Sequence, residues 1–103
     1  MADKERIVGL LNGYRDEIRA RSPKSLAIWQ KNRTVMPAGV GSIFRLSDPF
    51  PMVVKRARGA RLWDADDNEY LDFMLGFSVM ILGNAPDEVQ AAIREALPRG
   101  THY

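Results

Sequence analysis

The chain of 103 residues has no cysteine, and its single histidine, His102, stands next to the last residue. Without cysteine, disulfides and thiolate metal sites are excluded. The longest apolar stretch, 73–82, is too short to cross a bilayer. The first residues have mixed charge and no apolar segment behind them, so a secretory signal is not expected. We predict a cytoplasmic protein with no metal site and no membrane association.

The composition is otherwise that of a globular protein, with 46% hydrophobic and 27% charged residues. The length fits one domain or a part of one. Charge is unevenly distributed: residues 1–61 hold 13 Lys and Arg against 5 Asp and Glu, whereas residues 62–103 hold 2 against 8. The basic residues alternate with apolar ones at structural spacings, and no nucleic-acid motif is present. We therefore expect a solvated basic face and no nucleic-acid partner.

Three helices are predicted from apolar spacing and capping residues. The first covers residues 4–20, with the Asp3 carboxylate capping its amide groups. The second begins at Ser22-Pro23, where Ser22 is expected to supply the cap oxygen, and it ends before Pro37. The third begins at Pro86 and ends near Pro98. These segments predict helices at both ends of the chain.

Between the helices, the pattern predicts a glycine-rich loop over 37–42, an extended segment at 43–46 and then three strands. The strands are expected at 52–57, 60–64 and 69–73, because apolar and polar residues alternate around polar turns. The segment 75–83 is apolar and aromatic without a clear period. The predicted fold class is α+β, with N-terminal helices, a three-stranded antiparallel meander and a C-terminal helix.

A cluster of acidic residues follows the second predicted strand. It lacks the alternating pattern, central glycine and distal glutamate of a calcium loop, so turn and edge-strand positions explain it better. Its members are Asp64, Asp66, Asp67, Glu69 and Asp72.

Arg45 is the strongest candidate for a ligand-binding residue in the chain. It follows a glycine-rich loop and lies between the apolar Phe44 and Leu46. A guanidinium in such a setting suits bidentate capture of a carboxylate. Spacing alone favours the simpler interpretation, an arginine lying across the surface of the meander, so both possibilities stay open at this point.

A series of short motifs, in order and at matching spacing, resembles the N-terminal part of class III pyridoxal-phosphate aminotransferases. Within that family the chain is most similar to the aminomutase group, glutamate-1-semialdehyde aminomutase and its relatives. The resemblance covers about residues 22–103. The motifs are MPAGV and GSIFR in 36–45, RARGARLWD in 56–64, DDNEYLDF in 66–73 and MILG in 80–83.

The resemblance implies part of the small domain of a fold-type-I enzyme, completed by the remainder of the enzyme and a second subunit in a homodimer. It implies pyridoxal 5'-phosphate as cofactor, with the phosphate loop, the partner of the ring nitrogen and the Schiff-base lysine all beyond residue 103. By the same resemblance, Arg45 binds the carboxylate of a small amino-acid-like substrate, and Ser42 and Phe77 line its pocket. No catalytic, cofactor or metal residue is expected in this chain.

The resulting prediction is an N-terminal fragment of such an enzyme, inactive alone, with an N-terminal helix at 1–21 and an incomplete small-domain segment at 22–103. The alternative is a stand-alone interaction module without catalytic activity. Three positions depart from the family pattern: Asp67 replaces a turn glycine, Ser78 precedes a valine in place of a Gly-Pro pair, and Asn84 replaces a histidine. These departures leave the substrate open.

Overall fold

The computed structural model describes residues 3–100, and it confirms an α+β fold with a three-stranded antiparallel sheet in the order β1-β2-β3. His102 lies outside the described residues. In chain order the elements are α1 Lys4–Arg21, α2 Pro23–Asn32, 3₁₀ turns at Pro37–Gly39 and Ile43–Arg45, β1 Val54–Arg58, β2 Arg61–Asp64, β3 Glu69–Leu71, the four-residue α3 Leu75–Ser78, α4 Asp87–Ala96 and a 3₁₀ turn at Leu97–Arg99.

The described residues form two compact units. The first comprises 3–55 and 63–68, which include both N-terminal helices, the glycine-rich loop and the turn after β2. The second comprises 56–62 and 69–100, which include the hairpin between β1 and β2, β3 and the last helix. The first unit contains the buried Phe50, and the second contains the buried polar side chain of Asn84.

The first helix begins as predicted. The Asp3 carboxylate accepts a hydrogen bond from the Glu5 amide at 3.1 Å. Every apolar residue of α1 keeps a large exposed surface. The Arg15 guanidinium, half-way along the helix, binds the Asp48 carboxylate at 2.8 Å and connects the helix to the chain before β1.

The second helix starts where the sequence predicts, but its cap is different. Ser22 occupies the N-cap position and its side chain makes no capping bond. The carboxylate of Asp66 accepts the amide hydrogens of Lys24 at 2.8 Å and Ser25 at 3.0 Å. The prediction that Ser22 supplies the cap oxygen is therefore wrong. A charged acceptor from a distant turn replaces it, and such bonds are stronger than those of a neutral hydroxyl.

Asp64, at the end of β2, accepts a hydrogen bond from the Ser22 hydroxyl and holds this side chain away from a capping role. It is fully buried, with 0% of its surface exposed. Its carboxylate accepts hydrogen bonds from the Ser22 hydroxyl at 3.2 Å, from the Asp66 and Asn68 amides at 2.9 Å each, and from the Asn68 side-chain amide at 2.9 Å. One carboxylate thus organises both the turn after β2 and the start of α2.

The segment 43–46 is not extended, contrary to the prediction. The Arg45 amide donates to the Ser42 carbonyl at 3.0 Å and the Leu46 amide donates to the Ile43 carbonyl at 3.0 Å, which closes a 3₁₀ turn. A lone extended segment would leave these groups without a partner strand, and the turn satisfies them locally. The strands are also shorter than predicted, because β1 begins at Val54 and β3 ends at Leu71.

In the second unit, Asn84 closes the chain onto the β1–β2 hairpin. Backbone amides and carbonyls of Asn84 and Gly59 exchange two hydrogen bonds of 2.8 Å. The Asn84 side-chain amide donates to the Asp72 carboxylate at 2.8 Å. Gly83 precedes it with φ +79°, and a Cβ there would lie 3.0 Å from the Gly59 backbone. Glycine is therefore required at 83 for this close approach.

Asp72 carries the first testable prediction. Hydrogen bonds from the Asn84 side chain, and then from the Leu75 amide, hold the pKa of Asp72 below its ordinary value. Since the folded pKa is lowered, the contribution of this contact is complete above the ordinary value of about 4 and is lost as pH falls through the lowered pKa. In an NMR titration of the carboxyl carbon, Asn84→Ala is expected to raise the Asp72 pKa. An unchanged titration midpoint would contradict the assigned cause.

The apolar core is small. Phe50 has 4% of its surface exposed and is the one large hydrophobic residue buried among residues 3–100. Large apolar side chains of α1, of 73–82 and of α4 are exposed instead. Over the same described range, no helix combines the length and hydropathy that a membrane span requires.

Candidate functional site

The glycine-rich loop has a backbone conformation that requires glycine at position 39. Ala38 and Gly39 both have positive φ, +54° and +72°. Gly39 is buried, and a Cβ at this position would lie 2.8 Å from Cδ1 of Trp29 and 2.8 Å from Cγ of Arg33. The loop therefore packs its backbone directly against the side chains of the second helix and its C-terminal cap.

Two of the three predicted site residues lie together after this loop. Ser42 is the N-cap of the 3₁₀ turn and Arg45 is its last residue, joined by the backbone hydrogen bond that closes the turn. Ser42 is half-buried and Arg45 is exposed. Within residues 3–100, neither the Ser42 hydroxyl nor the Arg45 guanidinium takes part in a hydrogen bond or ion pair. Both groups are therefore available to a ligand.

This availability is uncommon among the arginines of the described chain. Most of them bind a carboxylate, an amide oxygen or an aromatic ring, as Arg15 does with Asp48, Arg58 with Asp87 and Arg33 with the Trp29 ring. In the range 3–100, Arg6 shares the unengaged state of Arg45, but it lies on the exposed helix α1. Arg45 differs because it lies at the end of the 3₁₀ turn that follows the packed glycine-rich loop.

The third predicted residue, Phe77, belongs to the second unit. It lies in α3 and has 67% of its surface exposed. Its φ is +63°, and Leu75, Gly76 and Ser78 beside it also have positive φ. Left-handed conformations in non-glycine residues cost about 1–2 kcal/mol each, and they persist where surrounding structure enforces them. We therefore expect that surrounding structure stabilises the left-handed backbone of this segment.

The acidic cluster has structural contacts in place of a metal site. Asp66 caps α2, Asp67 binds Lys55 at 2.8 Å, and Glu69 binds Arg61. Asp67 also has φ +67°, a left-handed conformation that glycine adopts most readily. Across residues 3–100, no group of three or more potential metal ligands comes together.

Sequence reasoning missed the role of Trp29, a residue of the second helix. Its indole Nε1 donates to the Ala38 carbonyl at 2.9 Å, and its ring stacks on Phe50 with centroids 6.3 Å apart. The separation of 21 positions between Trp29 and Phe50 gave no local pattern from which the pairing follows. The one available signal was the tight glycine pair beyond the helix.

Comparisons with known proteins identify the family of this fold. The family model for class III aminotransferases matches residues 43–103. The chain is 42% identical over 91 residues to glutamate-1-semialdehyde 2,1-aminomutase of Methanopyrus kandleri, covering 88% of this chain and 20% of that protein.

Solved structures give the same assignment. The structure of a glutamate-1-semialdehyde aminomutase from Pseudomonas aeruginosa PAO1 superposes with a TM-score of 0.87 at 29% identity, over 98% of this chain and 23% of that one. A transaminase solved with pyridoxal phosphate bound superposes with a TM-score of 0.74 at 34% identity, over 80% and 19%.

The fold and motifs are thus those of fold-type-I pyridoxal-phosphate transaminases. This chain belongs to the class III aminotransferase family. It spans about a fifth of the length of the curated relatives it matches, so the prediction of an N-terminal piece of an aminotransferase or aminomutase is confirmed.

Proposed function

We propose that this chain supplies part of the substrate-binding wall of a pyridoxal-phosphate-dependent aminotransferase or aminomutase that acts on a small amino-acid-like substrate. Arg45 binds the substrate carboxylate through its guanidinium, and the Ser42 hydroxyl donates a second hydrogen bond. Phe77 contributes an apolar surface to the pocket. The names of the relatives support the activity of a glutamate-1-semialdehyde aminomutase.

The observation that carries the proposal is the unengaged Arg45 guanidinium at the end of a fixed turn. A guanidinium in the open presents five donors in a planar fork, and a carboxylate satisfies two of them at once. In a site from which the rest of an enzyme excludes water, such a pair gains strength because the local dielectric is lower. The half-buried Ser42 hydroxyl adds specificity for an oxygen acceptor close to the same turn.

The lysines of this chain do not fit the cofactor. A lysine that forms a Schiff base is desolvated or lies beside another cation, so that its amine is neutral when it reacts. Among the described residues, Lys4, Lys24 and Lys31 are exposed on helices and Lys55 is paired with Asp67. We therefore propose that the chain alone is inactive and that the remaining four-fifths of the enzyme holds the pyridoxal phosphate.

The exposed apolar surfaces support a partner that covers them. Phe73, Phe77 and Ile81 in the segment 73–82 and Ile93 on α4 are exposed, although such side chains are usually buried. We propose that the remainder of the same polypeptide and a second subunit of a homodimer cover them, and that residues 22–103 belong to the small domain. The short coverage of the full-length relatives supports this assignment.

Arg45→Ala in the full-length enzyme that carries this segment tests the function. Loss of a charge-assisted pair is expected to lower kcat/KM for the carboxylate substrate by about 10- to 100-fold. Most of the change is expected in KM, since the pair forms on binding and is retained in the transition state. Steady-state kinetics measures the change, and absorbance of the bound cofactor checks that loading is unaffected.

Arg6→Ala is the matched control, because Arg6 is the other described arginine without a partner and lies on an exposed helix face. It is expected to leave both kinetic constants unchanged. A value of kcat/KM that is equal in Arg45→Ala, Arg6→Ala and the parent enzyme would refute the assignment of Arg45.

A further inference from the structure

The segment between Ala38 and Phe50 is held at both of its ends by one side chain. At the first end, the indole Nε1 of Trp29 donates to the Ala38 carbonyl at 2.9 Å. At the second end, the same indole stacks on the Phe50 ring with 6.3 Å between centroids and 26° between planes. Ser42 and Arg45 lie between these two points of attachment.

Packing around Trp29 makes this attachment rigid. The Arg33 guanidinium lies 5.0 Å from the centroid of the Trp29 ring, in the position of a cation–π contact. Gly39 also restricts the indole, because a Cβ at this position would lie only 2.8 Å from Cδ1 of Trp29. Phe50 is almost fully buried, and the Ser47 hydroxyl donates to its carbonyl at 3.1 Å.

We propose that Trp29 is a positioning residue, which fixes the loop 38–50 and thereby orients the Ser42 hydroxyl and the Arg45 guanidinium. Fixing both ends of a loop removes most of the conformations that it would otherwise sample. The guanidinium is then presented in the binding geometry before the ligand arrives, which reduces the ordering cost of binding. This inference rests on the proposed function, and Trp29 itself does not contact the substrate.

Limited trypsin digestion of the full-length enzyme tests the clamp without any assay of activity. Trypsin cleaves after arginine, and the rate of cleavage after Arg45 reports how often the loop opens. Trp29→Phe keeps the ring stack but loses the Nε1 donor, and it is expected to raise the rate about 5-fold. Trp29→Leu loses both contacts and is expected to raise the rate by about 10-fold or more.

Cleavage after Arg94, in α4 of the second unit, is the reference in the same digest and is expected to stay constant. Tyr14→Phe, which removes a hydroxyl from an exposed aromatic residue of α1, is the matched control and is expected to leave cleavage after Arg45 unchanged. An equal rise at Arg45 and Arg94 would mean general unfolding and would overturn the proposal. So would the absence of any change in both Trp29 variants.

Kinetics then tests whether the clamp orients Arg45. Trp29→Phe is expected to raise KM for the carboxylate substrate about 3-fold or more with little change in kcat, and this effect is expected to vanish in the Arg45→Ala background. A Trp29 effect of equal size in both backgrounds would overturn the proposal. If Arg45→Ala itself leaves KM unchanged, the proposed function fails, and the digestion alone decides whether Trp29 fixes the loop.

Discussion

Asp64→Ala is expected to destabilise the first unit by about 3 kcal/mol or more, because several buried donors lose their acceptor. The substitution removes one buried carboxylate and leaves the Ser22 hydroxyl, the Asp66 and Asn68 amides and the Asn68 side-chain amide without their acceptor. Each buried donor that loses its acceptor costs about 1–3 kcal/mol, although water entering the cavity recovers part of the loss.

The damage is expected to spread from the turn to α2. Asp64 shapes the turn that places Asp66, and Asp66 caps the amides of Lys24 and Ser25. Hydrogen exchange in the full-length enzyme measures both regions. In Asp64→Ala, the amides of Lys24, Ser25 and Asn68 are expected to exchange about 100-fold faster, which corresponds to about 3 kcal/mol of local opening.

Asp16→Ala is the control for the loss of a carboxylate at an exposed position. Asp16 pairs with Arg19 on the surface of α1, and such pairs contribute about 1 kcal/mol or less. It is expected to leave exchange at Lys24 and Ser25 unchanged. If Asp64→Ala gave the same exchange as Asp16→Ala, the central role of the buried carboxylate would be wrong.

The elements of this fold were predictable because they depend on local chemistry. Asp3 caps α1, Pro23 opens α2, and alternating residues around two polar turns give the meander, since each pattern acts within a few residues. The cap of α2 was not predictable. Asp66 lies more than 40 residues after the amides that it caps, and the sequence carries no mark of that pairing.

The candidate site divides in the same way. Arg45 and its glycine loop were identified from order and spacing, and the resemblance to a family supplied the role. The 3₁₀ turn Ile43–Arg45 was wrongly predicted as extended, because Ile43 and Phe44 have strand propensity. Without a neighbouring strand, an extended segment would leave its backbone amides and carbonyls unpaired. Local hydrogen bonds within the turn pair them instead.

The 103-residue chain in isolation is expected to bind a hydrophobic dye strongly and to lack a cooperative unfolding transition. One large apolar residue, Phe50, is buried in the described range, and such a core does not offset the conformational entropy of a chain of this length. Dye fluorescence and thermal circular dichroism measure the two properties. A cooperative melt without dye binding would contradict the proposal that the rest of an enzyme covers these surfaces.

Ile93→Lys tests the same expectation more sharply, because it should reduce aggregation of the isolated chain but destabilise the full-length enzyme. Ile93 lies at the centre of the apolar face of α4 with 53% of its surface exposed, between Val89 and Leu97. In the isolated chain a lysine there remains in water, so dye binding and aggregation are expected to fall. In the enzyme the lysine ammonium would be buried against the covering surface, so the free energy of unfolding is expected to fall by about 2 kcal/mol or more.

Ala91→Lys is the matched control, since it places the same lysine at an exposed position on the opposite side of the same helix. It is expected to leave dye binding by the isolated chain unchanged and to shift the melting temperature of the enzyme by less than about 1 °C. A stand-alone module predicts a different result: Ile93→Lys would then be as harmless in the long polypeptide as in the short one. The difference between the two melting curves therefore decides whether α4 is a surface of this chain or an internal layer of a larger enzyme.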